Sequence, residues 1–213
     1  MKSYGQLCAV ARALDVVGDR WTLLIVRELL IRESARFTDL QTGLPGIAPN
    51  LLAQRLRTLE DEGVVMRELA VPPASGSAYR LTTRGRALDG VVRELLKWGA
   101  PTVPDAPPDA IFQMHWLSMP AQFLLADREP DGPAITIRFG DPRDGFDVRA
   151  GVSHGLHIGP CQSDRVPGLT ITGPGPALAG LIQGRIPLQH AEKLGIRFTG
   201  DAAILERLLP QSS

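Results

Sequence analysis

The segment Pro101-Thr102-Val103-Pro104-Asp105-Ala106-Pro107-Pro108 places four prolines in eight residues. Proline lacks an amide hydrogen and locks φ, so neither a helix nor a sheet ladder runs through such a stretch. The 213-residue chain therefore reads as two parts, 1–98 and 109–213, joined by a stiff, extended link over 99–108. Residues 1–98 are dense in Leu, Arg and Glu and read mainly as helix. Residues 134–172 hold short β-rich runs separated by Gly and Pro.

Lys+Arg and Asp+Glu both number 23, and a net charge of zero argues at first against a nucleic-acid partner. The average hides a split. Residues 1–100 carry 14 basic and 11 acidic residues, whereas residues 101–213 carry 9 basic and 12 acidic ones. A mildly basic half joined to an acidic half suggests two parts with different partners. No apolar run reaches about 18 residues, so no membrane partner is expected. No signal peptide is visible. Two cysteines, Cys8 and Cys161, are too few for a disulfide scaffold, and no Cys-x-x-Cys motif is present. A cytoplasmic, reduced protein without metal or cofactor is the expectation.

In the first part, Leu7 to Val17 reads as a helix ended by Gly18, and Asp19 as the cap of a second helix, Trp21 to Ile31. Thr38 to Gly43 is a short helix, and Leu44-Pro45-Gly46-Ile47 a turn. Pro49 sits well in the first turn of a longer helix running to Glu62. Val64–Val71 and Ala78–Thr82 read as strands around a polar loop, and Thr83 opens a last helix to Trp98. A short helix, a tight turn and a longer helix make a helix-turn-helix, and the hairpin behind it makes a winged helix.

The long helix has two faces. Leu52, Leu56 and Leu59 fall within about 60° of one another and form a buried stripe. Asn50, Gln54 and Arg57 lie opposite, with the small Ala53 between them. Asn and Gln can bond adenine edges in pairs, and Arg can do the same with guanine, in the major groove of double-stranded DNA. Arg55 flanks this face, within reach of phosphate or base. Arg36 and Thr38, before and at the start of the short helix, and Arg80 on the second strand complete the candidate DNA contacts. The wing Val71-Pro72-Pro73-Ala74-Ser75-Gly76-Ser77 carries no Lys or Arg, although Arg67 and Arg80 flank it.

Three segments resemble HxlR-type winged-helix regulators, which are MarR-like. They are Cys8-Ala9-Val10-Ala11-Arg12-Ala13-Leu14-Asp15-Val16-Val17-Gly18-Asp19-Arg20-Trp21-Thr22, then Arg36-Phe37-Thr38-Asp39-Leu40 with Leu44-Pro45-Gly46-Ile47-Ala48-Pro49-Asn50, and finally Tyr79-Arg80-Leu81-Thr82-Thr83-Arg84-Gly85. The resemblance covers residues 5–98 and implies a homodimeric DNA-binding regulator with its first and last helices at the dimer interface. It departs from the family pattern at Ala9, where the family has Pro, and at Ala48, where it has Ser or Thr. Loss of a capping hydroxyl costs about 1 kcal/mol. Cys8 carries two readings: a small apolar residue at the dimer interface, or a thiol of lowered pKa near a helix start that senses oxidants or electrophiles.

In the second part, residues 109–126 read as a helix with a broad apolar face containing Trp116, Met119 and Phe123. Strands are expected at 134–139, 146–150, 155–158 and 169–172 in an antiparallel meander, with helices at 176–183 and 188–194, a strand at 195–199 and a helix at 201–209. The stretches Leu169-Thr170-Ile171-Thr172-Gly173, Ala177-Leu178-Ala179-Gly180-Leu181-Ile182, Gly184-Arg185-Ile186-Pro187-Leu188 and Ile196-Arg197-Phe198-Thr199-Gly200-Asp201 resemble the sterol-carrier-protein family. That resemblance implies a sheet with helices on one face and an apolar tunnel between them. Trp116, Met119 and Phe123 would line it for a hydrophobic small-molecule effector.

The whole is expected to be α+β: an N-terminal winged helix-turn-helix and a C-terminal, mainly antiparallel α/β domain of sterol-carrier type. Catalytic constellations are weak. His154 and His157, three apart on a strand, point to opposite faces. Gly173-Pro174-Gly175-Pro176 puts prolines where a phosphate loop needs donors. Gly151-Val152-Ser153-His154-Gly155 lacks the strand-to-helix setting of a nucleophile elbow. A non-enzymatic regulator is expected. The alternatives are a redox regulator acting through Cys8, and a lipid carrier that uses its winged helix only to dimerise.

Overall fold

The computed structural model describes residues 3–69, 76–107, 109–152, 155–162 and 164–210. The wing residues 71–75, together with Ser153 and His154, lie outside them. The chain divides into two compact units, 1–109 and 110–213.

In unit 1, α1 (Ala9–Val17) ends at Gly18, and α2 (Thr22–Arg32) follows a left-handed Trp21 with φ of 81°. Asp19 does not cap α2 with its side chain. Its carbonyl accepts from Thr22 N at 3.2 Å, and its carboxylate pairs with Arg55 instead. A two-residue strand, β1 (Ala35–Arg36), leads into α3 (Phe37–Gly43), whose Asp39 carboxylate accepts the Arg36 amide at 2.8 Å. The turn to α4 (Pro49–Asp61) uses Gly46 at φ of 88°, a conformation that favours glycine. β2 (Val65–Leu69) and β3 (Ser77–Leu81) form the antiparallel hairpin, and β1 adds to it in the order β1-β3-β2.

The expected last helix is broken in two, α5 (Thr83–Arg86) and α6 (Asp89–Gly99). The cause is tertiary. Thr82 Oγ1 donates to the Gly63 carbonyl at 2.7 Å and accepts the Gly85 amide at 3.1 Å, clamping one helical turn onto the hairpin. Gly85 there lies so close to the Val64 carbonyl that an added Cβ would sit 2.1 Å from it. The prolines beyond α6 do not form an extended link: residues Ala100–Asp105 continue as 3-10 turns.

The unit 1 core gathers Ile25, Val26 and Leu29 from α2, Leu40 from α3, Leu52, Leu56 and Leu59 from α4, and Val65 and Leu81 from the hairpin. Glu28 is fully buried among them. Its carboxylate accepts from Arg27 at 2.7 Å and from Arg32 at 3.1 Å, so the charge is balanced on its own helix.

Unit 2 opens with a 3-10 turn at Met114–Leu117 and a short α7 (Ser118–Leu124), not the single helix expected over 109–126. Asp144 holds the start of the turn: its carboxylate accepts the Met114 amide at 3.1 Å and lies 2.7 Å from His115 Nδ1. There follow β4 (Ile135–Phe139), β5 (Phe146–Ala150), β6 (His157–Pro160), β7 (Leu169–Thr172), α8 (Gly175–Ile182), α9 (Leu188–Ala191), β8 (Arg197–Gly200) and α10 (Ala203–Glu206). The sheet order is β6-β5-β4-β7-β8. It is not a pure meander, because β7 pairs with β4 in parallel while the other pairings are antiparallel. The next element after β5 is another strand, β6, and Ser153 and His154 of the Gly151–Gly155 motif lie outside the described residues.

Register puts the apolar side chains on one face. Ile137 pairs with Val148 and Leu169, and Phe139 with Phe146 and Ile171. These residues form one core with Ala121, Leu178, Leu181, Ile182 and Leu205 from the helical segments, and the Phe139 and Phe146 rings stack at 5.0 Å. The other face carries Arg138 and Asp147, both buried, joined through two bonds of 2.7 and 2.9 Å. Gln162 closes over them, its amide donating to Asp147 at 3.0 Å and its carbonyl accepting from Arg138 at 2.9 Å.

Burial is the largest influence on the Asp147 carboxyl and pushes its pKa up, but Arg138 and the Gln162 amide together outweigh it and hold the pKa below its usual value. Arg207 does the same to Asp127. A carboxylate with a depressed folded pKa contributes stability that is complete above its unfolded value of about 3.9 and is lost as pH falls through the folded value. Urea midpoints followed by Trp116 fluorescence, with Trp21 and Trp98 replaced by Phe, should therefore be level from neutral pH to about pH 5 and fall steeply below about pH 4. A midpoint that is flat into that range would show that these pairs do not support unit 2.

Candidate nucleic-acid interface

The rotation of α4 is fixed by its buried stripe. Leu52, Leu56 and Leu59 are 0–1% exposed, and Asn50, Gln54 and Arg57 consequently face solvent. Pro49 occupies the first turn, and Ala48 at the N-cap provides no side-chain bond. Asn50 Oδ1 accepts the Leu51 amide at 2.9 Å, while its NH2 group and the whole Gln54 amide point outward without a partner among the described residues. Arg57 has no carboxylate partner among the described residues. One helix face thus presents two amides and a guanidinium, the groups that bond base edges.

Arg55 stands apart from these three. Its guanidinium is mostly buried and paired with Asp19, tying α4 to the turn between α1 and α2. Sequence reading missed this, because an Arg beside the polar face looks like a contact residue until its partner, 36 positions away, is known. Arg36 and Thr38 lie exposed at the junction of β1 and α3. Arg80, on β3, forms a cross-strand ion pair with Glu68 on β2 at 2.9 Å. An exposed pair of this kind contributes only about 0.2–1 kcal/mol. Arg67 donates to Ser77 Oγ at 2.7 Å and lies over the Tyr79 ring at 6.0 Å.

Two helices expose apolar stripes. Leu7 and, on α1, Val10 and Leu14 are 109%, 67% and 42% exposed; on α6, Val91, Leu95 and Trp98 are 46%, 46% and 82% exposed. The spacing i, i+4, i+7 places the α6 trio on one helix face, and Val10 and Leu14, at i and i+4, share a face of α1, with Leu7 just before its N-cap. Cys8 is exposed at the N-cap of α1, and the amides of Ala11 and then Val10 hold its thiol pKa below the ordinary value. Cys161 is the opposite case: burial, followed by the neighbouring Asp147, pushes its pKa up to about 12.

In unit 2, Met119 is buried, Trp116 half-buried and Phe123 exposed. None of the three lines either of two cavities. One, of about 470 Å³, is bordered by Arg128, Glu129, Pro133, Ile135, Ala203, Ile204, Glu206 and Arg207. The other, of about 230 Å³, runs from Arg128 past Ile186 to Pro210. Charged residues on these walls differ from the apolar tunnel expected.

The geometry of unit 1 defines a winged helix-turn-helix protein of the kind that regulates transcription. The HxlR-like helix-turn-helix family model matches residues 16–106. The uncharacterized HTH-type transcriptional regulator YvaP of Bacillus subtilis is 38% identical over 87 residues, 41% of this chain and 80% of that protein. The uncharacterized regulator sll1512 of Synechocystis is 33% identical over 98 residues, 45% of this chain and 70% of that protein. Among solved structures, PA1607 shows 39% identity over 52% of this chain and 74% of its own, with a TM-score of 0.43. The transcriptional regulator YodB of B. subtilis shows 28% identity over 48% of this chain and 100% of its own, with a TM-score of 0.40. The chain belongs to the HxlR-like helix-turn-helix family and is a transcriptional regulator of that type. Unit 2 lies outside the matched residues. No helix of the described residues is long and apolar enough to cross a membrane.

Proposed function

We propose that the protein is a homodimeric operator-binding regulator in which α4 enters the major groove and Asn50, Gln54 and Arg57 read base edges. The observation that carries this reading is the outward face of α4, three base-bonding side chains opposite a fully buried leucine stripe. Arg36, Thr38 and Arg80 would contact phosphate, and the Asp19 pair supports a positioning role for Arg55. The apolar stripes of α1 and α6 support a dimer built on those helices. Two copies of α4 would then meet half-sites about one DNA turn apart. On an operator selected from random sequence, Gln54→Ala and Arg57→Ala should each lose about 1–3 kcal/mol of affinity and relax preference at one base position. Unchanged affinity in both variants would favour the reading in which the winged helix only dimerises a lipid carrier.

Unit 2 is proposed to take a hydrophobic effector, on the strength of its sterol-carrier resemblance over 168–209 and its sheet with one apolar, helix-covered face. A thermal-shift series with fatty acids and aromatic compounds should raise the melting temperature and change operator affinity for at least one of them. Absence of both effects across the series would remove the effector.

A second reading is favoured by Cys8. An exposed thiol of lowered pKa at a helix start is more often thiolate at neutral pH, and the thiolate is the reactive form. In that reading, quinone or peroxide changes DNA binding of the wild type, and Cys8→Ser abolishes the response while retaining DNA binding. A response that persists in Cys8→Ser excludes it.

A further inference from the structure

We propose that Glu68 is a counter-charge built into the phosphate-facing side of the wing, one that weakens its hold on DNA backbone and so leaves discrimination to α4. The inference rests on the DNA-binding reading above. Across the β1-β3-β2 sheet, Arg36 pairs with Ala78 and Ala78 with Glu68. Arg36 and Glu68 therefore share one row of one face, with only a methyl group between them. Arg80, two residues along β3 from Ala78, projects from the same face. That face thus holds two guanidinium groups and one carboxylate. The carboxylate is already on Arg80, Oε1 lying 2.9 Å from Nη1. Arg67, on the opposite face, is engaged by Ser77 and Tyr79 and does not compete for Glu68.

Both partners of the pair are open to solvent, with 41% and 44% of their side-chain surface exposed, so a phosphate oxygen can reach the same guanidinium. A phosphate that takes Arg80 strips Glu68 of its partner and leaves a carboxylate beside the phosphate. The repulsion is the same for every base sequence, because the backbone carries the same charge everywhere. Glu68 therefore lowers affinity for all DNA equally along the backbone and raises the share of binding that depends on the bases read by Asn50, Gln54 and Arg57. It tempers backbone affinity without touching a base.

Glu68→Gln keeps the shape of the side chain at an exposed site and removes only its charge. The test is fluorescence anisotropy of the full chain on a labelled duplex of random sequence, across a series of salt concentrations. Glu68→Gln should bind up to about tenfold tighter near 0.1 M salt, with a log–log salt slope steeper by about 0.9, the signature of one more phosphate neutralised. The double variant Glu68→Gln/Arg80→Gln should lose that gain. Wild-type binding accompanied by unchanged or weaker binding of Glu68→Gln would overturn the proposal, since Glu68 would then be idle or would position Arg80. No binding of the duplex by the wild type would overturn the DNA-binding reading and this inference with it.

Discussion

The burial of Leu52, Leu56 and Leu59 sets everything that unit 1 can present. Each fully buried leucine contributes about 1.5–3 kcal/mol relative to exposure. Rotating α4 by even one residue would swing that stripe toward water, so the phase of the polar face follows from the phase of the apolar one. A charged contact ties α4 to the turn before α2, and a close approach seats α3 on α2. Arg55 binds Asp19 at one end of α2. Glu28, buried near its middle, lies against Gly43 at the end of α3, where an added Cβ would meet Glu28 Oε2 at 2.3 Å. Close approach of α2 and α3 thus depends on a glycine on one helix and a neutralised carboxylate on the other.

Local signals carried most of unit 1. The start of α4 at Pro49, its end before Gly63 and the two hairpin strands were legible because proline, glycine and period-two alternation act within a few residues. What failed was non-local. β1 has two residues and exists only because β3 is beside it. The separate α5 turn is held by Thr82 Oγ1, which bonds the Gly63 carbonyl and the Gly85 amide, a clamp that reaches across 19 positions. Asp19 looked like a cap because caps are local, yet its carboxylate serves Arg55. In unit 2, alternation located the strands to within a few residues, but parallel and antiparallel pairing leave the same pattern. The expected long helix over 109–126 was an apolar stretch whose first part has no helical structure, Asp144 being what organises its middle. In the candidate interface, Asn50, Gln54 and Arg57 were readable from helical phase alone. Glu68 was not, since its place beside Arg80 follows from a register set by a hairpin whose loop length is not a sequence signal.

The two cysteines show how far environment separates identical groups. Cys8 sits in water beside amides that favour its anion, whereas Cys161 is itself partly buried, which opposes its anion first, and Asp147 beside it opposes it further. The same physics divides the unit 2 sheet. On one face Phe139 and Phe146 stack in a dry core; on the other, Arg138 and Asp147 are buried only because each satisfies the other and Gln162 satisfies both.

The parallel pairing of β4 with β7 also orders events in time. β4, β5 and β6 are neighbours in sequence and meet by short hairpins, which close quickly. Ile137 and Leu169 must find each other across more than thirty intervening residues, and the entropy of closing such a loop is spent before the contact returns anything. The three-stranded piece can therefore exist as an incomplete sheet with the edge of β4 open, and that edge is a template for any extended strand, including β7 of another copy. The bonds that close this ladder at its two ends are the Gly168 amide to the Thr136 carbonyl at 2.9 Å and the Gly140 amide to the Ile171 carbonyl at 2.8 Å. Both ends of that short ladder form only once the long loop has closed, so the β4 edge is the last part of the sheet to be covered.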